Sequence, residues 1–306
     1  VTYKIDFVNR RKIFFLISVL TILVGIISYA FQGLNLGIDF VSGTRLDFRF
    51  EKTIDLEKAT KALDELGYDN PNARLGGDTN NILIFRINEK IEKKQVDQIT
   101  ERLKQIFGMT PHVQEQTVDP IIGKEIAQSA FYAMLIASVG IIIYVALRFE
   151  YRFAVAAVIA LIYDALFIIS VFSLLQLEVD LTFVAAILTI VGYSVNDTIV
   201  IFDRIRENME MKKPKTWDEL VEVVNSSIGQ TLVRSINTVV TVIFGALALS
   251  ILGGESIRNF SLALLFGLLS GAYSSICIAS QIWVGWKWKS MQKERENPRK
   301  EPAVSE

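Results

Sequence analysis

The stretch LTFVAAILTIVGYSVNDTIVIF, residues 181–202, decides how this chain folds. As one helix rising ~1.5 Å per residue it is long enough to cross a hydrocarbon layer of ~30 Å. Blocks of similar length and character recur at residues 16–31, 126–147, 154–175, 232–252 and 260–283. Apolar residues make up 51% of the 306-residue chain, and their concentration in these blocks, more than their total, sets the class. Six crossings leave both termini on one side of the membrane. The first block follows Arg10, Arg11 and Lys12, as a secretory signal would. It is longer than a signal core and ends in Phe31-Gln32-Gly33 without small-residue cleavage spacing, so an uncleaved anchor is expected.

A net charge of −1 conceals a division between loops. One set of connections carries Arg10, Arg11 and Lys12, then Arg148 and Arg152, then Arg204, Arg206, Lys212, Lys213 and Lys215, and finally the basic tail after residue 287. The alternate short loops carry Glu178 and Asp180, or Glu255 with Arg258. Arg and Lys are retained on the side from which they are hard to translocate, so both termini are expected in the cytoplasm and residues 37–120 outside it. The tail mixes its lysines with Glu294, Glu296 and Glu301 and follows a membrane span, so membrane lipid suits it better than nucleic acid. The lone Cys277 and the lone His112 supply neither a disulfide framework nor a metal cluster.

The polar segment after the first block alternates Leu46, Phe48 and Phe50 in a strand over residues 44–50. A helix follows at 56–66, then a strand at 82–87, a helix at 94–107 and a strand at 113–118, with a further short strand before Gly76-Gly77. That order is the one a ferredoxin-like plait uses. The expected fold is a membrane all-α bundle of six transmembrane helices with one extracytoplasmic α+β ferredoxin-like domain. It divides into residues 1–36 (terminus and first helix), 37–120 (external domain), 121–288 (five-helix block) and 289–306 (cytoplasmic tail). The stretch between Arg204 and Gly229 contains Pro214, and its amphipathic run over 217–224 is expected to lie on the membrane surface.

Charges inside a bilayer cost roughly 2.5–3.5 kcal/mol each on insertion scales and so require a purpose. Asp164 stands in the third block above Ala156 and Ala160, small neighbours that let another helix approach. Asp197 shares a helix side with Thr189, Tyr193 and Asn196, and Arg234, Asn237, Thr238 and Thr241 form a second stripe on the fifth block. Asp197 and Arg234 fall at comparable depth. A carboxylate that alternates between Arg⁺ and a proton changes charge and packing together, as proton-coupled motion needs. A permanent ion pair that only fixes helix packing accounts for the same spacing. The last block carries Gly267, Ser270, Gly271, Ser274 and Ser275 on one face, a pattern for close helix packing. No metal and no cofactor are expected.

Two strings are diagnostic: GIDFVSGT at residues 37–44, and VNDTIVIFDRIREN at 195–208. With Leu147-Arg148-Phe149, Tyr163-Asp164, Arg234-Ser235-Ile236-Asn237-Thr238 and Gly271-Ala272-Tyr273-Ser274-Ser275, they resemble the SecD/SecF family of translocase subunits, within the resistance-nodulation-division superfamily. The resemblance runs nearly to Trp288. It implies a non-enzymatic accessory to preprotein export that uses the proton-motive force, with SecD, the SecYEG channel and YajC as partners. It places the proton pathway at Asp197 and Arg234, with Asp164, Asn196 and Asn237 beside them. Two departures stand out: Tyr163 where a His commonly precedes Asp164, and Ser42 within a Gly-Gly pair. The competing reading is a proton-driven small-molecule or lipid exporter of the same superfamily, against which a single six-span block argues. A membrane enzyme lacks a Ser-His-Asp set or a His-metal cluster to act with.

Overall fold

The computed structural model describes residues 6–68, 72–77, 79–148 and 150–296; residues 1–5, Phe149 and the last ten residues of the expected tail lie outside this set. In chain order, the elements are α1 (Arg11–Gln32), β1 (Asn35–Leu36), α2 (Ile38–Val41), β2 (Gly43–Arg49), α3 (Leu56–Asp64), β3 (Asn72–Gly76), β4 (Ile82–Ile87), α4 (Lys93–Phe107), β5 (His112–Val118), α5 (Pro120–Arg148), α6 (Tyr151–Leu175), β6 (Glu178–Val179), α7 (Leu181–Lys212), α8 (Trp217–Leu252) and α9 (Glu255–Ser274). A π-helical segment, Ser275–Ala279, joins α9 to α10 (Ser280–Glu296) as one long helix. Six helices, α1, α5, α6, α7, α8 and the joined α9–α10, are long and apolar enough to span a membrane.

Between the first and second spans the strands pair in the order β3-β4-β2-β5, all antiparallel, the order of a ferredoxin-like plait. Period-two alternation sends Leu46, Phe48, Leu83 and Phe85 to one face, where Ala59 and Leu63 of α3 and Ile99 and Leu103 of α4 close the core. Asp55 caps α3, a Glu92–Gln95 capping box opens α4, and left-handed Gly108 ends it.

The opposite sheet face carries Arg45 and Arg86, and it rests on the bundle. Glu178 of β6, almost fully buried, ion-pairs with Arg74 at 2.9 Å, Arg86 at 3.4 Å and Arg45 at 3.5 Å. Burial pushes the Arg86 guanidinium below its ordinary range, with Glu178 opposing and the neighbouring arginines adding to the shift. Arg45 is also buried, but the hydrogen bonds and charge of Asp47 outweigh that and hold it above its ordinary range. The β1–β6 pairing and a bond from Gly77 N–H to Glu255 Oε1 at 2.8 Å complete the attachment.

One local expectation is corrected. The run over 217–224 does not lie on the membrane surface: it opens the 36-residue helix α8, ~54 Å long against a hydrocarbon layer of ~30 Å. Lys213 ends α7 in a left-handed turn, Thr216 and Glu219 form a capping box, and Leu220, Val224 and Ile228 pack with Phe202 and Ile205. The amphipathic face is thus buried against α7, with Asn208 donating to Ser227 Oγ at 2.8 Å and to Gln230 Oε1 at 3.0 Å. Residues 38–41 form a short helix, and Asp39 accepts from the Leu181 N–H at 3.0 Å. Toward the end of α7, Asp203 pairs with Arg148 and Arg206, and Arg204 with Glu207.

The departure at Ser42 also acquires a cost. Ser42 holds φ 66° and ψ 172°, and Gly43 follows at φ 119°, where a Cβ would stand 2.1 Å from the Ile87 carbonyl oxygen. The first geometry is nearly restricted to glycine and costs other residues on the order of 1–3 kcal/mol. Ser42→Gly is therefore expected to raise the midpoint of thermal unfolding in detergent, by about 1 kcal/mol of stability; an unchanged or lower midpoint contradicts the strain. Glu178→Ala leaves Arg86 buried without its counter-charge, while Arg45 keeps Asp47, and is expected to cost about 3–5 kcal/mol. Faster trypsin cleavage at the plait arginines reads this out, and unchanged cleavage refutes the clamp.

Candidate functional site: a polar seam between the spans

Asp164 lies at the centre of the bundle, fully buried on α6. Three hydroxyls donate to it: Ser194 of α7 to Oδ2 at 2.6 Å, Ser274 to Oδ2 at 2.8 Å and Ser270 of α9 to Oδ1 at 2.5 Å. An isolated carboxylate there would be too costly to keep, whereas one with three short donors is satisfied.

The small-residue face of α9 divides into two rows. Ser270 and Ser274, one turn apart, face Asp164. Gly267, Gly271 and Ser275, also spaced by four, face α7. A Cβ on Gly267 would stand 2.2 Å from Ile190 Cδ1, and one on Gly271 3.2 Å from Ser194 Cβ, so α7 comes this close only against glycine. Ser275 meets Thr198 Oγ1 at 2.9 Å. Immediately below, the helix widens to the π form, where Ser280 donates to the Ser275 carbonyl and Gln281 to that of Ile276. Such π segments recur where a helix must place side chains out of α register.

Asp197 has a different environment. Its Oδ2 is buried without a hydrogen-bond partner, and Ser235 and Ser275 flank it. It borders a cavity of about 20 Å³, room for one water, together with Asn196, Tyr193, Ser194, Thr238 and Gly271. Arg234 lies close enough to exert a Coulombic pull on Asp197. Among the described residues no ion pair joins the two; Arg234 lines an 860 Å³ opening with Gln230, Asp203 and Asn196. Asn196 borders both spaces and stands between Asp197 and the opening. Asn237 and Arg234 are exposed on the surface of α8. The stripes of α7 and α8 therefore run side by side along an open face and do not close on each other.

Sequence reasoning singled out Asp164, Asp197, Arg234, Asn196, Asn237 and the small face of the last span, and missed Ser194. Its signal was faint: one hydroxyl in an apolar helix, level with a carboxylate thirty residues earlier. It also missed the hydroxyls of α1, where Ser18 meets Tyr273 Oη at 3.1 Å and Thr21 meets Tyr163 Oη at 3.3 Å. Tyr163 thus points to α1, away from the Asp164 cradle.

A multi-pass bundle with ionisable groups held between its helices and an α+β plait docked on one end defines a polytopic membrane protein of transporter build. A family model described as "Protein export membrane protein SecD/SecF, C-terminal" matches residues 98–289, and one for the "SecD/SecF GG Motif" matches residues 27–54. The chain is 44% identical to the protein translocase subunit SecF of Alicyclobacillus acidocaldarius over 95% of each. It is 48% identical to the protein translocase subunit SecDF of Bacillus subtilis over 95% of its own length, but spans 39% of that protein. The crystal structure of SecDF from Thermus thermophilus superposes with a TM-score of 0.83 at 32% identity, covering 92% of this chain and 38% of that one. SecDF in a super-membrane-facing form gives 0.69 at 32% identity, over 97% and 40%. The chain belongs to the SecD/SecF family, whose members are translocase subunits and not enzymes. Both the expected family and the expected fold class are those observed.

The close approach of α9 to α7 yields a paired test. Gly267→Leu drives a side chain into Ile190 and is expected to cost about 1–3 kcal/mol. Gly140→Leu, on α5 where a Cβ meets nothing within 4 Å, leaves the melting midpoint unchanged. Equal midpoints for the two variants would show that the α7–α9 contact yields without cost.

Proposed function

We propose that the chain acts as the SecF-type subunit of a Sec preprotein translocase in the cytoplasmic membrane, where it uses the proton-motive force to promote export. In this reading both termini are cytoplasmic, the plait of residues 37–120 is extracytoplasmic, and residues 121–288 form the membrane block. The loop-charge asymmetry supports that orientation. The preprotein passes the SecYEG channel, with YajC accompanying SecD.

The observation that carries the proton role is the contrast between the two carboxylates. Asp164 is saturated by three serines, while Asp197 keeps a bare buried oxygen beside space for one water, with Arg234 near but unbonded. A carboxylate so placed gains from a proton arriving or from the guanidinium swinging in, and the two alternatives exclude each other electrostatically. Asn196 extends the polar path toward the 860 Å³ opening, and Asn237 lies beside it on the exposed stripe of α8. At ~2.3 kcal/mol per charge per 100 mV, one proton carries enough free energy to bias a conformational step.

The exposed polar stripe supports the partner. Arg234, Asn237 and Asn196 are open at an intramembrane face, where lipid is a poor neighbour for them. A second six-span block, the SecD portion of the SecDF relatives, covers that face in this proposal.

The test uses inverted vesicles containing SecYEG and SecD. Asp197→Asn and Arg234→Met are each expected to abolish the export gained from an imposed proton gradient while leaving gradient-independent export in place. Undiminished stimulation in both variants would leave the seam a packing feature only.

A further inference from the structure

At the end of the bundle that carries both termini, α1, α8 and α10 leave a 380 Å³ crevice lined by Arg11, Trp217, Gln281, Trp286, Trp288 and Lys289. We infer that this crevice binds the headgroup of an anionic phospholipid from the surrounding membrane.

Charge is the first argument. Arg11 stacks over Trp217 at 4.9 Å, which orients the guanidinium without neutralising it. Glu150, an acid near α10, is engaged by Arg152 and Lys287, and neither Arg11 nor Lys289 forms an ion pair among the described residues. Two cations thus converge on a crevice without a counter-charge. Basic pockets between spans on the cytoplasmic side are where acidic headgroups settle.

Level is the second argument. Three of the chain's four tryptophans line this one crevice, and indoles collect where hydrocarbon gives way to headgroups. Phe15 and Ile282 supply apolar wall beside the cations, and Leu16 and Val19 continue an exposed apolar surface along α1. A free phosphate would meet the charges and waste the wall; a lipid uses both.

The tryptophans make the test direct. The full chain is placed in phosphatidylcholine vesicles containing equal mole fractions of acyl-brominated phosphatidylglycerol or acyl-brominated phosphatidylcholine, and intrinsic fluorescence is read. Brominated phosphatidylglycerol is expected to quench in excess of its mole fraction, with apparent preference falling roughly five-fold for each cation removed in Arg11→Gln and Lys289→Gln. The charge-preserving pair Arg11→Lys with Lys289→Arg, and Lys293→Gln outside the crevice, are expected to keep the preference. Equal quenching by the two lipids, or a preference that survives loss of both cations, overturns the site. Reversal of the excess quenching by free inorganic phosphate overturns the lipid assignment in favour of a soluble anion.

Discussion

The geometry of the bundle depends on how one carboxylate is kept in its interior. Among the described residues no cation pairs with Asp164, and the three serines that satisfy it come from two other helices. Each donor must lie within hydrogen-bond reach, so α6, α7 and α9 are fixed in depth and rotation at once. The glycines of α9 follow from that demand, since Ser194 reaches Asp164 only if α7 packs against a helix that has no side chain at 267 and 271. A hydrocarbon core specifies closeness but little register. Three directional bonds on one acceptor specify both.

Against this fixed point the second carboxylate is left incomplete. Thr198 and Ser275 bond to each other beside Asp197, and its Oδ2 is buried without a hydrogen-bond partner. A polar group that finds all its partners in one arrangement gains nothing from another arrangement. One that lacks a partner changes state when a proton, a water or a guanidinium is supplied. The bundle thus contains one acid whose bonds are complete and, in the same seam, another that lacks a partner.

Much of this was legible in the sequence. Block length gave the spans, period-two alternation gave the strands of the plait, and the price of intramembrane charge pointed to Asp164, Asp197 and Arg234. What was not legible depends on relations between distant segments. The split of the α9 face into two rows is set by which neighbours α6 and α7 present, and spacing along one helix cannot say that. Nor does local pattern show that the amphipathic start of α8 has a better partner in α7 than in lipid, because apolar periodicity is the same for both. Comparable depth suggested that Asp197 and Arg234 would pair, but depth leaves rotation about the helix axis open, and rotation put Arg234 on the open face. The strain at Ser42 needed a backbone angle that no residue identity reports.

The clamp at Glu178 has a mechanical consequence. Glu178 belongs to the strand that ends two residues before α7 begins, and Asp180, the cap of that helix, also takes a bond from Asn259 of α9. The arginines gripping Glu178 sit on three different strands of one sheet, so a single carboxylate ties three strands of the plait to the chain just ahead of α7. The path from the sheet to the helix that carries both Ser194 and Asp197 is therefore two residues long and anchored at both ends, a coupling as short as the chain allows.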